Sequence, residues 1–153
     1  MCPQALSDDG FDSELRRYIY VHFVRKGRAP KVTEMAAALA VSRPKIKSAL
    51  ERLARGHAIV LQESDELWRA APFSAVSTAF AVQVGRRRWW ANCIWDALGI
   101  PAMLHEDGRI DAACGCCNLE MIVRVTRGKP TTKEGIIHIA VPARNWYDDI
   151  VFT

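Results

Sequence analysis

The sequence predicts an α+β fold: a helical N-terminal module ending in a hairpin, then a small mixed antiparallel-sheet domain with one central helix. Three observations predict it. Residues 11–56 place apolar side chains at helical spacing in three blocks, separated by Gly, Pro and capping residues. Residues 57–73 form two strand-like runs around a polar turn. Beyond residue 77, several short strand-like runs surround one helical stretch. The 153 residues, half of them apolar, suffice for one compact domain or two small ones.

The elements follow in order. FDSELRRYIYVHFVRK, residues 11–26, sets Leu15, Ile19, His22 and Phe23 on one helical face, and Gly27 and Pro30 end it. Thr33 is expected to cap a short helix, TEMAAALAV. Ser42 caps the next, SRPKIKSALERLARG, with Pro44 in the first turn, Ile46, Ala49, Leu50 and Leu53 as its buried stripe, and Gly56 at its close. HAIVLQ and ELWRAAPF then read as a β-hairpin. Helices, helix-turn-helix, hairpin is the winged-helix order. The expected division is a loose tail at 1–10, a winged-helix-like domain at 11–76 with its junction near Pro72 and Ser74, and a second domain at 77–153. In that second part TAFAVQVG alternates like a strand, and RRRWWANCIWDAL, residues 86–98, suits a helix stopped by Gly99 and Pro101. Asp107-Gly108 reads as a turn, RIDAACG and NLEMIVRV pair across a Cys-rich turn, and IIHIAVPA is a further strand.

Composition excludes several classes. The net charge of +4 is too mild to announce nucleic-acid binding by itself. No apolar run approaches a membrane span, and the N-terminus lacks a secretory pattern, so the expected location is cytoplasmic. The five cysteines are odd in number, with Cys114, Cys116 and Cys117 crowded together, unlike a secreted disulfide framework. In a reducing compartment they read as thiols for metal or catalysis.

Two constellations carry chemistry. Cys93 and Asp96 are one helical turn apart and can address one ligand. The carboxylate does not activate the thiol, since like charges raise its pKa. The pair suits a division of labour instead, with sulfur holding a soft metal and the carboxyl group moving a proton. A buried structural Cys beside a capping Asp is the plainer alternative. Cys114-Gly-Cys116-Cys117 presents several sulfurs in one small volume, for metal handling or for structure, and matches zinc-finger spacing poorly. His22, His57, His105 and His138 each have ordinary structural explanations. Trp89, Trp90 and Trp95 read most economically as core, or as a shield for an apolar substrate group. Arg43, Lys45 and Lys47 on the basic helix are the possible nucleic-acid contacts, or simply a solvated face.

The stretch WWANCIWDALGIPAML, followed by DAACGCCNLEMIVRV, resembles the catalytic core of the alkylmercury (organomercurial) lyases. The resemblance lies in the spacing of Cys93, Asp96, Pro101 and Cys114, and extends to the winged-helix-like N-terminal module. It implies protonolysis of a carbon–mercury bond, giving hydrocarbon and Hg(II). Cys93 is then the first catalytic thiol, Asp96 the proton shuttle and Cys114 a mainly structural thiol. The implied partners are an organomercurial substrate, free thiols as co-reactant, and cellular thiols or mercuric reductase as Hg(II) acceptor, with no other cofactor and no membrane.

The family's second catalytic thiol falls just past a segment like NWYDDIVFT, where this chain stops at Thr153. Three readings follow: a truncated or degenerate homologue; Cys116 or Cys117 as the missing thiol, which makes Cys93, Cys116 and Cys117 the expected mercury ligands; or a UGA codon for selenocysteine read as a stop. Two other functions stand beside lyase: a winged-helix metal-responsive regulator, and a thiol metal-binding protein without catalysis.

Overall fold

A computed structural model of the chain describes residues 8–133, 135–139 and 141–148. Among the described residues the fold is α+β, with four α-helices, one short 3-10 helix and an eight-stranded antiparallel sheet. Three helices come first. α1 (Asp8–Lys26) begins earlier than expected, inside the anticipated tail, with Asp8 and Asp9 in its first turn where acidic charge suits the helix dipole. Its buried stripe is Phe11, Leu15, Ile19, His22 and Phe23. α2 (Val32–Ala38) is preceded by Lys31 at the N-cap position, not by the expected Thr33. Glu34 corrects that choice: its carboxylate accepts the Lys31 backbone N–H at 2.8 Å and supplies the missing cap. α3 (Arg43–Arg55) has the cap expected, Ser42 accepting from the Lys45 N–H, and buries Ile46, Ala49, Leu50 and Leu53 against α1. Arg52 ties the two helices with a bidentate pair to Asp12 at 2.8 and 2.7 Å.

β1 (Val60–Leu61) and β2 (Leu67–Ala70) form the expected hairpin. ELWRAAPF continues past Pro72 as a separate strand, β3 (Phe73–Ser74), which turns back on β2. β3 then pairs with β5, so the hairpin runs directly into the sheet of the second half. The full order is β1-β2-β3-β5-β4-β6-β7-β8. Residues on both sides of position 76 share one apolar core, from Leu15 and Ile46 through Phe73 to Val82, Trp89, Ile100 and Ile110. Phe23 and Phe73 stack at 5.0 Å between ring centres, and the buried Trp89 indole donates to the Phe23 carbonyl at 2.7 Å.

Three expectations for the second half need correction. Residues 86–98 do not form one helix. They divide into β5 (Arg87–Ala91), a bend at Asn92 and Cys93, and α4 (Ile94–Leu104). β5 pairs with β4 (Ala81–Val84) along four residues, and its alternation buries Trp89 and Ala91 while Arg87 and Arg88 face solvent. Gly99 and Pro101 do not stop α4, which runs through both to Leu104. Pro101 forgoes one helical N–H, and the loss is offset by burying its ring tightly against Gly108. The segment IIHIAVPA is not a strand over residues 136–139; Ala140 lies outside the described residues. β6 (Gly108–Ala113) and β7 (Glu120–Thr126) pair over six residues around the Cys-rich turn, as expected, and β8 (Lys129–Pro130) closes the edge.

Candidate thiol–carboxylate site

The bend between β5 and α4 makes the site. Cys93 is the N-cap of α4, in extended conformation, and its Sγ accepts from the Asp96 backbone N–H at 3.5 Å. The Trp95 N–H also approaches the sulfur. Helix start and thiol are thus one construction: the unpaired N–H groups of the first turn point at sulfur. Asp96, at the third helical position, lies in the same first turn, so the expected neighbourhood of Cys93 and Asp96 is met by a cap geometry rather than by two positions within a helix.

The electrostatics of the pair are set by burial. The Cys93 thiol is pushed above its ordinary value, chiefly by burial, with the Asp96 charge adding to the rise and the two helix N–H groups and Arg69 opposing it. A helix N-terminus normally favours thiolate, but here desolvation wins. Asp96 is likewise raised by burial, against the hydrogen bond from Asn92 and the charge of Arg69. Cys93 therefore rests as a protonated thiol at neutral pH, next to a carboxyl group with raised proton affinity.

Two contributors were not visible in the sequence. Asn92 Nδ2 donates to Asp96 Oδ2 at 2.9 Å, while its buried Oδ1 has no protein partner. Arg69 arrives from β2, through the register that aligns Arg69 with Ser74 and Ser74 with Trp90. No local spacing signal marks Arg69; only strand order brings it near. Three surface depressions of about 460, 290 and 380 Å³ lie elsewhere, the first lined by Arg28, Pro30, Gln62 and Leu67. Cys93 and Asp96 are half-buried and line none of these three.

The remaining expected site residues fall in two places. Cys114, Cys116 and Cys117 occupy the β6–β7 turn, with Cys114 half-buried and the other two exposed. Cys114 is lowered from its ordinary thiol value because the N–H groups of Cys117 and Cys116, and the Cys117 side chain, hydrogen-bond to its sulfur. Ala81 pairs with both Trp90 and Asp111, so β5 and β6 stand level on either side of β4 and run the same way. Cys93 and Cys114 consequently leave the same end of the sheet, with strand axes two spacings apart, about 10 Å. The structure does not gather Cys93, Cys116 and Cys117: among the described residues there is no group of three or more His, Cys, Asp or Glu side chains placed to hold one ion.

Trp89 is core as expected, but Trp95 is not. At the second position of α4 it stays 59% exposed beside the pair. On the basic helix, Lys47 pairs with Asp65 at 3.1 Å and Lys45 lies 4.5 Å over the Phe11 ring, while Arg43 borders a depression with Lys47. No helix among the described residues is long and apolar enough to cross a membrane.

A family model described as alkylmercury lyase matches residues 73–153, the part of the chain that holds β3 through the Cys-rich turn and beyond. The chain belongs to the alkylmercury lyase family. Its fold is similar to that of a solved structure, the mercury-bound form of MerB2, with a TM-score of 0.64 and 21% identity. That match covers 79% of this chain and 58% of the other, so this alkylmercury lyase homologue spans little more than half the length of that relative. No curated protein sequence matches it.

Proposed function

We propose that this chain is an organomercurial-lyase-like protein that cleaves carbon–mercury bonds by protonolysis, with Cys93 as the mercury-binding nucleophile and Asp96 as the proton shuttle. The observation that carries the reading is the shared first turn of α4, where the Cys93 sulfur sits 3.5 Å from the Asp96 N–H within a family-matched segment.

The chemistry follows from the electrostatics. An organomercurial exchanges its leaving ligand for the Cys93 sulfur, forming a sulfur–mercury bond and releasing the thiol proton. Asp96, raised in proton affinity, takes that proton. The bound mercury is soft and prefers sulfur to carboxylate, so the carboxyl group stays available for proton transfer. The proton then passes to carbon, the carbon–mercury electron pair becomes the new C–H bond, and hydrocarbon leaves. Hg(II) remains on sulfur until free thiols, or a cellular acceptor such as mercuric reductase, remove it. The scheme uses free thiols as co-reactant and no other cofactor, and places the protein in the cytoplasm. The second sulfur belongs either to Cys116 or Cys117 after movement of the turn, or to a thiol the substrate carries in. Asn92 orients Asp96, and Arg69 supports its anionic state after proton delivery. The helices and hairpin of residues 11–76 are read as a winged-helix-like module that supports residues 77–153; Lys45 and Lys47, occupied within the fold, weigh against a regulator that binds DNA.

The test incubates reduced protein with an organomercurial and excess free thiol and follows hydrocarbon release. Turnover is expected, and Cys93→Ser and Asp96→Ala are each expected to abolish it. Mercury binding without hydrocarbon release would reduce the protein to a chelator. Binding to duplex DNA that falls steeply with salt, and is lost in Arg43→Ala, would favour the regulator.

A further inference from the structure

We propose that Cys114 and Cys117 form a second soft-cation site, a two-coordinate dithiol at the tip of the β6–β7 turn, separate from Cys93. The spacing is C-x-x-C, and the turn closes it. The Cys114 N–H donates to the Leu119 carbonyl and the Asn118 N–H to the Cys114 carbonyl, each at 2.8 Å. Asn118 takes the left-handed conformation, φ 56°, that lets the chain reverse. That reversal holds Cys114 and Cys117 at the two ends of one closed turn, with the N–H groups of Cys116 and Cys117 on the side of the Cys114 sulfur, whose thiol is lowered accordingly. Two free thiols are thus held in one closed turn, open to solvent on the Cys117 side.

The ligand class follows from what is missing and what is present. A zinc site wants four ligands in a tetrahedron. Among the described residues no third or fourth His, Cys, Asp or Glu completes such a set here. Two thiols without further donors suit a thiophilic d10 cation of the Hg(II) or Cu(I) kind, which accepts linear coordination by sulfur. Binding replaces two S–H bonds with two sulfur–metal bonds and releases two protons to solvent, with no change of oxidation state. The N–H groups on the Cys114 sulfur then act as outer donors that hold the ligand in place. The turn that the Asn118 N–H closes on the Cys114 carbonyl spans the C-x-x-C pair, Cys114 and Cys117, and Cys116 is exposed within it. Cation binding by the pair does not depend on turnover at Cys93, so the two ideas fail separately.

The experiment uses the reduced full chain in a Cys93→Ser background, which removes the other site. Inorganic Hg(II) is added with an excess of a monothiol, and the mercury retained per chain is read by native mass spectrometry, together with the near-ultraviolet mercury–thiolate absorption. Cys93→Ser is expected to keep one Hg(II) per chain with two protons lost, and Cys93→Ser/Cys116→Ser the same. Cys93→Ser/Cys117→Ser, altered at an exposed residue, is expected to lose retention by at least about tenfold, because the intramolecular second thiol is gone. Zn(II) is expected not to survive the same competition. X-ray absorption of the Cys93→Ser complex should show two sulfur neighbours at mercury. The proposal is overturned if Cys93→Ser retains no mercury, if Cys116→Ser rather than Cys117→Ser releases it, or if mercury has one or three sulfurs.

Discussion

Replacing Asn92 by Ala removes a side-chain amide that donates to Asp96, a 2.9 Å bond to Oδ2. A hydrogen bond to a charged group contributes about 1.5–3 kcal/mol; half-burial of Asp96 lowers that to about 1 kcal/mol. Without that bond the Asp96 pKa should rise further, beyond the rise that burial already imposes. A carboxyl group raised in the fold costs stability as its carboxylate, so the loss in Asn92→Ala should grow as pH rises through the folded pKa. At acid pH, below the unfolded value, the loss should be small, because the variant also deletes Oδ1, a buried acceptor without a protein partner. The assay is a carbon-13 titration of the Asp96 carboxyl in both proteins, with Asp96→Asn for assignment, and urea unfolding at about pH 3 and about pH 7. In turnover, proton uptake should persist while delivery slows, since a weaker acid gives up its proton less readily. An unmoved Asp96 titration, or equal stability loss at both pH values, would refute the claim that Asn92 acts through the carboxylate.

Three further predictions concern the frame of the site. Gly108→Ala sets a Cβ 2.5 Å from Pro101 Cγ and 2.8 Å from Pro101 Cβ, a rigid ring inside α4; a loss of about 1–3 kcal/mol is expected, read as a lowered Tm, and an unchanged melt would show that the ring gives way. Trp89→Phe removes the buried 2.7 Å bond to the Phe23 carbonyl and some core volume; about 2 kcal/mol should be lost in urea unfolding, and a cost near zero would show that β5 is not fastened to α1 by this indole. Glu34 is lowered from 4.5 to about 2 by the Arg28 hydrogen bonds and the Lys31 N–H. Its stabilising effect is complete above pH 4.5 and is lost as pH falls towards 2, so Glu34→Gln should flatten that part of the acid-unfolding curve, and an identical curve would discount the pair.

Much of the site was legible because its signals are short-range. Cys93 and Asp96 are three positions apart, and any helix start at this point joins them. The Cys-rich turn is bounded by two runs that alternate strongly enough to pair. What stayed hidden was Asn92 and Arg69. Asn92 matters because the chain bends there, and Arg69 because β2 and β3 place it beside a segment distant in sequence. Trp95 read as core from its apolar neighbours, yet the rotation of α4 that buries Ala97 and Ile100 turns it outward.

By itself the amino-acid order determined α1 and α3, whose apolar period and Ser42 cap are local; the β1–β2 and β6–β7 turns; and the pairing of a thiol with a carboxyl group. These depend on contacts within a few residues, which survive in any tertiary setting. Tertiary structure alone decided that residues 87–91 extend as β5, that α4 tolerates Pro101, and that Cys93 is a cap. These outcomes need partners outside the segment itself: β4 across a two-residue turn and β3 from earlier in the chain to pair with β5, the distant Phe23 carbonyl to receive Trp89, and Gly108 to make room for the proline ring. Helical periodicity in RRRWWANCIWDAL is real, but aromatic residues suit a pleated, half-buried surface equally well, and cross-strand hydrogen bonds with burial on α1 tip that balance.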